Sequence, residues 1–226
     1  MEELVTRHGA IMDKYDPEKK IGMIVDEWGD WFTVEPGTNP GFLYQQNTMR
    51  DALVAGITLN IFNRHCDRVK MACIAQMVNV LQSVILTEGP RMVKTPTYHV
   101  FHMYRYHQGA QLLDSYIEGV EMIGEEEEYR VPTLQESVSS SEDGVINLTL
   151  NNLSVTGVQE MEVVFAELKP GQVSASILTQ QMDAYNTFDE PNRVQEEEFT
   201  DFEITEKGLK LTVPACSVVL LRITGR

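Results

Sequence analysis

Residues 21–28, IGMIVDEW, are an apolar run that ends abruptly in two carboxylates and a tryptophan. A strand with one solvated face alternates apolar and polar residues, so an unalternating run suits a strand buried on both faces of a parallel sheet. The flanking sequence supplies helices. The opening segment places Leu4, Val5, His8, Ile11 and Met12 on one helical face, and Asp16-Pro17 stops it. Thr48 followed by Asp51 fits a capping box, opening a helix through about His65 in which Met49, Leu53, Ile57 and Ile61 recur at four-residue spacing. A second apolar run, VKMACIAQMVNVLQSVIL, is expected to start as a strand and lead into a loop or helix, and residues 97–107 look helical after Pro96. Between them, residues 32–47 read as a long loop rich in proline and glycine. The order is two and a half units of a βα pattern.

From about residue 109 the texture changes. Short stretches with strand-like alternation or β-branched content follow one another: GVINLTLNNL, QEMEVVFAEL, ASILTQQM and LKLTVPACSVVLLRI. Asp143-Gly144, Lys169-Pro170-Gly171 and Lys207-Gly208 separate them as turns, the pattern of an antiparallel β-sandwich. The acidic runs Glu125–Glu128 and Glu196–Glu198 read as solvated loops, and the serine cluster at 137–141 reads as another loop.

Charge divides the chain at the same place. The 226 residues carry a net charge of −16, but residues 1–108 hold 11 basic and 12 acidic residues and the remainder 7 and 22. Such acidity argues against nucleic-acid binding, which relies on basic surface to displace counterions from phosphate. No run of about 18 apolar residues appears, as a transmembrane helix would need. The three cysteines, Cys66, Cys73 and Cys216, have no zinc-like spacing and read as reduced thiols, with Cys73 in the core. His99, His102 and His107 have a spacing that suits packing or exposure better than a metal, and no cofactor is expected. Asn147-Leu-Thr and Asn152-Leu-Ser fit glycosylation sequons, a weak three-residue signal.

The segment VDEWGDW, with Asp26, Glu27 and Asp30 beside Trp28 and Trp31, is the candidate for chemistry. A carboxylate can attack or stabilise an oxocarbenium-like carbon while an aromatic face stacks on a sugar ring. The same residues would also serve as ion pairs over a packed core. Adjacent strand residues point to opposite faces, so Asp26 and Trp28 are expected on the face opposite Glu27, with Trp28 packing beneath.

IVDEWGDW, then NTMRDALVAGITLNIFNRHCDRVKMACIAQMVNVLQSVILTEG and TPTYHVFHMYRYHQG, closely resemble glycoside hydrolase family 51, the α-L-arabinofuranosidases. MDAYNTFDEPNRV and VPACSVVLLRI continue the resemblance over essentially the whole chain. It implies that Glu27 is the nucleophile at the end of the seventh strand of a (β/α)8 TIM barrel, with Trp31 near the arabinose subsite and Gln76 bonding the sugar. It implies a retaining mechanism, with the two carboxyls about 5–5.5 Å apart, on terminal α-L-arabinofuranosyl residues of arabinan or arabinoxylan saccharides. Intracellular, homo-oligomeric enzymes are common among the relatives, so a cytoplasmic location is expected. The family's acid/base is the glutamate of an Asn-Glu pair, and no such pair occurs here.

A complete barrel takes about 250 residues. The resemblance therefore places residues 1–108 as its last two strands and helices, and residues 109–226 as a C-terminal, jelly-roll-like β-sandwich. The chain is expected to be the C-terminal portion of such an enzyme, inactive alone. A competing expectation is a non-catalytic assembly or carbohydrate-binding module built on the sandwich.

Overall fold

The computed structural model describes residues 1–225. The fold is mostly β with three helices of more than one turn among those residues. The first half runs α1 (Glu2–Tyr15), β1 (Met23–Trp28), α2 (Met49–Arg64), β2 (Val69–Ile74), β3 (Ile85–Glu88), β4 (Arg91–Lys94) and α3 (Pro96–Tyr104). Short strands β5 (Gln111–Leu112), β6 (Met122–Ile123) and β7 (Val131–Pro132) lead into β8 (Leu134–Ser140), β9 (Ile146–Asn152), β10 (Gln159–Val164) and β11 (Pro170–Thr179). Then come β12 (Glu197–Glu198), β13 (Phe202–Ile204), β14 (Gly208–Val213) and β15 (Ser217–Gly225). None of the described helices is long and apolar enough to cross a membrane.

β1 and β2 pair in parallel, and no third strand joins them among the described residues. An antiparallel sheet runs in the order β12-β11-β15-β9-β8-β5, and a second in the order β10-β14-β13. β15 explains how these parts hold together. Its Val218 and Leu220 pack into a cluster with Val5, Trp28, Met49, Leu53, Val100 and Met103. The alternate residues Val219, Leu221 and Ile223 pack with Leu209, Leu211 and Val213 of the smaller sheet. A strand buried on both faces needs apolar residues at successive positions, which is why SVVLL does not alternate. The larger sheet is thus covered by helices on one face and by the smaller sheet on the other.

α2 begins at the expected capping box. The Asp51 carboxylate accepts from the Thr48 backbone N–H at 2.8 Å and from its hydroxyl at 3.1 Å. The helix approaches β9 closely at Gly56, where an added Cβ would lie 2.0 Å from Asn151 Oδ1. Tyr104 closes this contact, its hydroxyl donating to Asn60 Oδ1 (2.6 Å) and accepting from Asn151 Nδ2 (2.8 Å). Burial pushes that phenol up to about 12, so it stays protonated and able to donate. Gly56→Ala should therefore force α2 and β9 apart and lower the free energy of unfolding by about 1–3 kcal/mol. Urea titration would read this as a lower midpoint at unchanged slope.

Several sequence expectations are corrected. The serine cluster is not a loop: Ser137, Ser139 and Ser140 lie in β8. Its buried hydroxyls find partners far away in sequence, Ser137 with Asn63 (2.9 Å) and Ser139 with His107 (2.8 Å). Glu197 and Glu198 form the edge strand β12, and Glu196 bonds His102 Nδ1 and the Ser176 hydroxyl, each at 2.6 Å. The run after β2 continues as a loop over residues 75–84, as expected, and only its last two residues, Ile85 and Leu86, enter the hairpin β3–β4. The expected burial of β1 on both faces holds on one side only: Met23 and Val25 pack inward, whereas Ile24 and its partner Met71 are exposed. Likewise α1 forms as expected but buries only Val5, leaving Leu4 and Ile11 in solvent. Cys73 is half-buried rather than a core thiol. Both sequon asparagines are buried and engaged internally, Asn147 to Tyr106 O and Asn152 to Val213 O and Pro214 O.

Candidate functional site

Parallel pairing brings the carboxyl ends of β1 and β2 to one edge, where Trp28 faces Ile74 in register. The next link is a backbone bond from Ala75 N–H to Trp28 O (2.7 Å). Glu27 and Gln76 therefore sit one residue before and two residues after this matched pair, on adjacent strand ends. Both side chains are exposed, and Trp31 three residues further on is 70% exposed. The edge thus carries a free carboxylate, an amide and an indole. Among the described residues neither Asp26 nor Glu27 has a side-chain hydrogen bond or ion pair.

A bulge sets these directions. Pairing slips between Val25 and Trp28, so one extra residue is spent in β1 across Asp26 and Glu27. A bulge re-aims the side chains around it. Without it, Trp28 would share a side with exposed Ile24; with it, Trp28 joins Met23 and Val25 in the core and is 4% exposed. There its ring meets Phe62 edge-on at 5.5 Å and stacks on Phe101 at 6.0 Å. Trp28 packs beneath the edge as expected. Simple alternation cannot separate the faces of Asp26 and Glu27, because the irregularity falls on them.

The turn that carries Trp31 depends on Gly29, at φ +139, where an added Cβ would lie 3.2 Å from Gln82 Oε1. Only glycine adopts this conformation without strain, and a Cβ here would press on the Gln82 side chain. Next to it, Asp30 is half-buried, with Oδ2 enclosed and unpartnered among the described residues. Burial first, and then the charge of Asp51, push its carboxyl up to about 6, against a smaller opposing pull from Arg50. Arg50 lies over the Phe32 ring, its Cζ 3.9 Å from the centroid, and bonds Asp51 at 3.1 Å, so it is already committed elsewhere.

The sign of the resulting pH effect follows. Between pH 4 and 6 the unfolded chain ionises Asp30 while the folded one keeps the proton, so this group's contribution to stability falls as pH rises through that window. Below pH 4 both states are protonated and nothing is lost. Asp30→Asn should thus stabilise the chain above pH 6 by about 1–2 kcal/mol, allowing for solvent screening of a half-exposed group. It should also flatten the stability profile between pH 4 and 6. Thermal melts of both proteins at pH 4, 5, 6 and 7 check this, and parallel profiles would contradict it.

The three histidines do not converge. His99 is buried, His102 meets Glu196, and His107 bonds Ser139 and Thr149 hydroxyls. Burial pulls both His99 and His107 down to about 4, so they are neutral at physiological pH. Among the described residues no three histidine, cysteine or carboxylate side chains are grouped to hold a metal. The residues that sequence reasoning missed are Gln45, Gln82 and Gly29, which hold the Trp31 turn. Polar residues in loops carry no periodic signal, and only the short spacing of Gly29 from Glu27 could have drawn attention to it.

Comparison with known proteins adds the following. The family described as the α-L-arabinofuranosidase C-terminal domain matches residues 26–217. An intracellular exo-α-L-arabinofuranosidase of Bacteroides ovatus is 42% identical over 224 residues, which is 99% of this chain and 43% of that protein. An intracellular exo-α-(1→5)-L-arabinofuranosidase of Streptomyces lividans is 28% identical over 86% of this chain and 31% of its own length. Among solved structures, the GH51 arabinofuranosidase of Xanthomonas axonopodis pv. citri superposes with a TM-score of 0.95 at 43% identity, covering 99% of this chain and 45% of that one. The chain therefore spans less than half the length of these relatives.

Proposed function

Because the chain belongs to the α-L-arabinofuranosidase C-terminal domain family, and matches the C-terminal portion of glycoside hydrolase family 51, we propose that it supplies the nucleophile half of a retaining α-L-arabinofuranosidase. In this reading Glu27 attacks the anomeric carbon of a terminal α-L-arabinofuranosyl residue and forms a covalent glycosyl-enzyme. Trp31 lies against the sugar ring and Gln76 hydrogen-bonds a hydroxyl. The saccharides are those of arabinan or arabinoxylan, the place of work is inside the cell as in the named relatives, and the working form is a homo-oligomer.

Residues 1–108 are the last two strands and helices of a (β/α)8 barrel in this proposal, and residues 109–226 a jelly-roll-like sandwich joined to it through β15. The exposure of Ile24 and Met71 on β1–β2, and of Leu4 and Ile11 on α1, supports this, since further barrel elements would cover such faces. The observation that carries the reading is the parallel edge on which Glu27 stands exposed, unpaired among the described residues, beside Gln76 and Trp31. The general acid must come from outside these 226 residues, which contain no Asn-Glu pair. Such a group contributes about 10²–10⁴-fold.

The test is a chimera in which this chain replaces the matching 43% of the Bacteroides ovatus protein. The chimera should hydrolyse p-nitrophenyl α-L-arabinofuranoside while the 226-residue chain alone does not. A folded but inactive chimera would sink the proposed activity. Hydrolysis by the chain alone that disappears in Glu27→Gln would sink the claim that the acid lies elsewhere.

A further inference from the structure

Trp31 poses a problem of rigidity. Its indole is 70% exposed and gains little from packing, yet an aromatic platform for a sugar must hold its angle before the sugar arrives. The backbone on either side of it is held instead. The side-chain amide of Gln45, 2% exposed, donates from Nε2 to Asp30 O (3.1 Å) and accepts at Oε1 from Phe32 N–H (2.8 Å). One planar amide thus grips the residue before Trp31 and the residue after it, as a neighbouring strand would.

A second amide holds the turn from the other direction. Gln82, wholly buried, accepts at Oε1 from Asp30 N–H (2.9 Å). Its Nε2 is anchored by donation to Asp51 O (2.7 Å) and to the Thr97 hydroxyl (3.3 Å). Gln82 is itself fixed to the strand edge, since its backbone N–H donates to Ala75 O at 2.9 Å, one residue before Gln76. The chain of contacts therefore ties Trp31 to the end of β2 and to the first turn of α2. Burying two primary amides is unfavourable unless their donors and acceptors are paired, and here most of that pairing is spent on three backbone groups flanking one exposed ring.

We infer that Gln45 and Gln82 are positioning residues for Trp31, a paired-amide clamp that presets the angle of the indole for an incoming furanose ring. The inference deepens the proposed function and rests on it for the identity of the ring that Trp31 meets. The clamp itself is testable without sugar.

The chain has two tryptophans, so 5-fluorotryptophan labelling yields two ¹⁹F signals, and Trp31→Phe assigns them. Buried Trp28 then serves as the internal reference for the fold. In Gln45→Ala the Trp31 signal should collapse to the position of unfolded chain while the Trp28 signal stays. A Trp31 signal that does not move, or two signals that move together in the folded state, would overturn the inference. Should Gln45→Ala not fold, Gln45→Glu decides, because it keeps the oxygen that accepts from Phe32 and loses the donor to Asp30. It should broaden Trp31 alone, and an unmoved Trp31 would overturn the clamp. Adding L-arabinose to the chimera, in which Trp31→Phe again assigns the signal, tests the other half. A Trp31 signal indifferent to the sugar, with Gln45→Ala still freeing the ring, would leave the clamp established and remove its assignment to a furanose.

Discussion

Glu27→Gln in the chimera is expected to lower kcat/KM for p-nitrophenyl α-L-arabinofuranoside by on the order of 10⁴-fold or more, the scale of losing a nucleophile. The substitution exchanges one carboxylate oxygen for an amide nitrogen of the same size. Glu27 is exposed and has no side-chain partner among the described residues, so the fold should not notice. Melting temperature should hold while activity falls, and the loss should appear in kcat, because the attacking lone pair acts only in the transition state. A variant with a raised KM and an intact kcat would mean that Glu27 binds the sugar without attacking it.

The second large effect concerns the core. Leu220 and Leu221 are neighbours on β15 with opposite outlooks, one packed against the helical half and the other against the smaller sheet. Each is buried, and truncation to alanine should cost about 2–5 kcal/mol. If β15 serves both clusters, Leu220→Ala and Leu221→Ala should each shift one and the same unfolding transition. Circular dichroism of the sheets, most of whose strands lie beyond residue 108, and the fluorescence of Trp28, which lies before it, should report coincident midpoints in both variants. Two transitions, one moved by each substitution, would mean that the halves on either side of residue 108 unfold separately.

Much of this fold was legible because its strongest features are local. The Thr48–Asp51 box starts α2 where it should, Pro96 opens α3, and LKLTVPACSVVLLRI near the end of the chain forms strands, β14 and β15. What escaped depends on partners distant in sequence. A serine-rich strand looks like a loop until Asn63 and His107 are found to satisfy its hydroxyls, 74 and 32 residues away. An apolar run says that a strand could be buried on both faces, but not which faces find a cover, and Ile24 shows the difference.

The candidate site was legible to the same extent. The segment holding Glu27 and Trp31 could be singled out because the chemistry of carboxylate and indole is written in residue type, whereas Gln76 and the role of each residue came from the family resemblance. The bulge that turns Trp28 inward could not, since register slips depend on the partner strand. Nor could the two glutamines, whose role is defined by the backbone atoms they reach.

The most direct test of the central claim is to trap the nucleophile. The chimera would be incubated with 2,4-dinitrophenyl 2-deoxy-2-fluoro-α-L-arabinofuranoside, whose leaving group departs without help from a general acid and whose fluorine slows release of the glycosyl-enzyme. Peptide mass spectrometry would then locate the adduct. The account predicts one fluoroarabinosyl group, esterified to Glu27 and absent from Glu27→Gln. An adduct on Asp26, Asp30 or any other carboxylate, or rapid turnover that passes through no adduct, would contradict it.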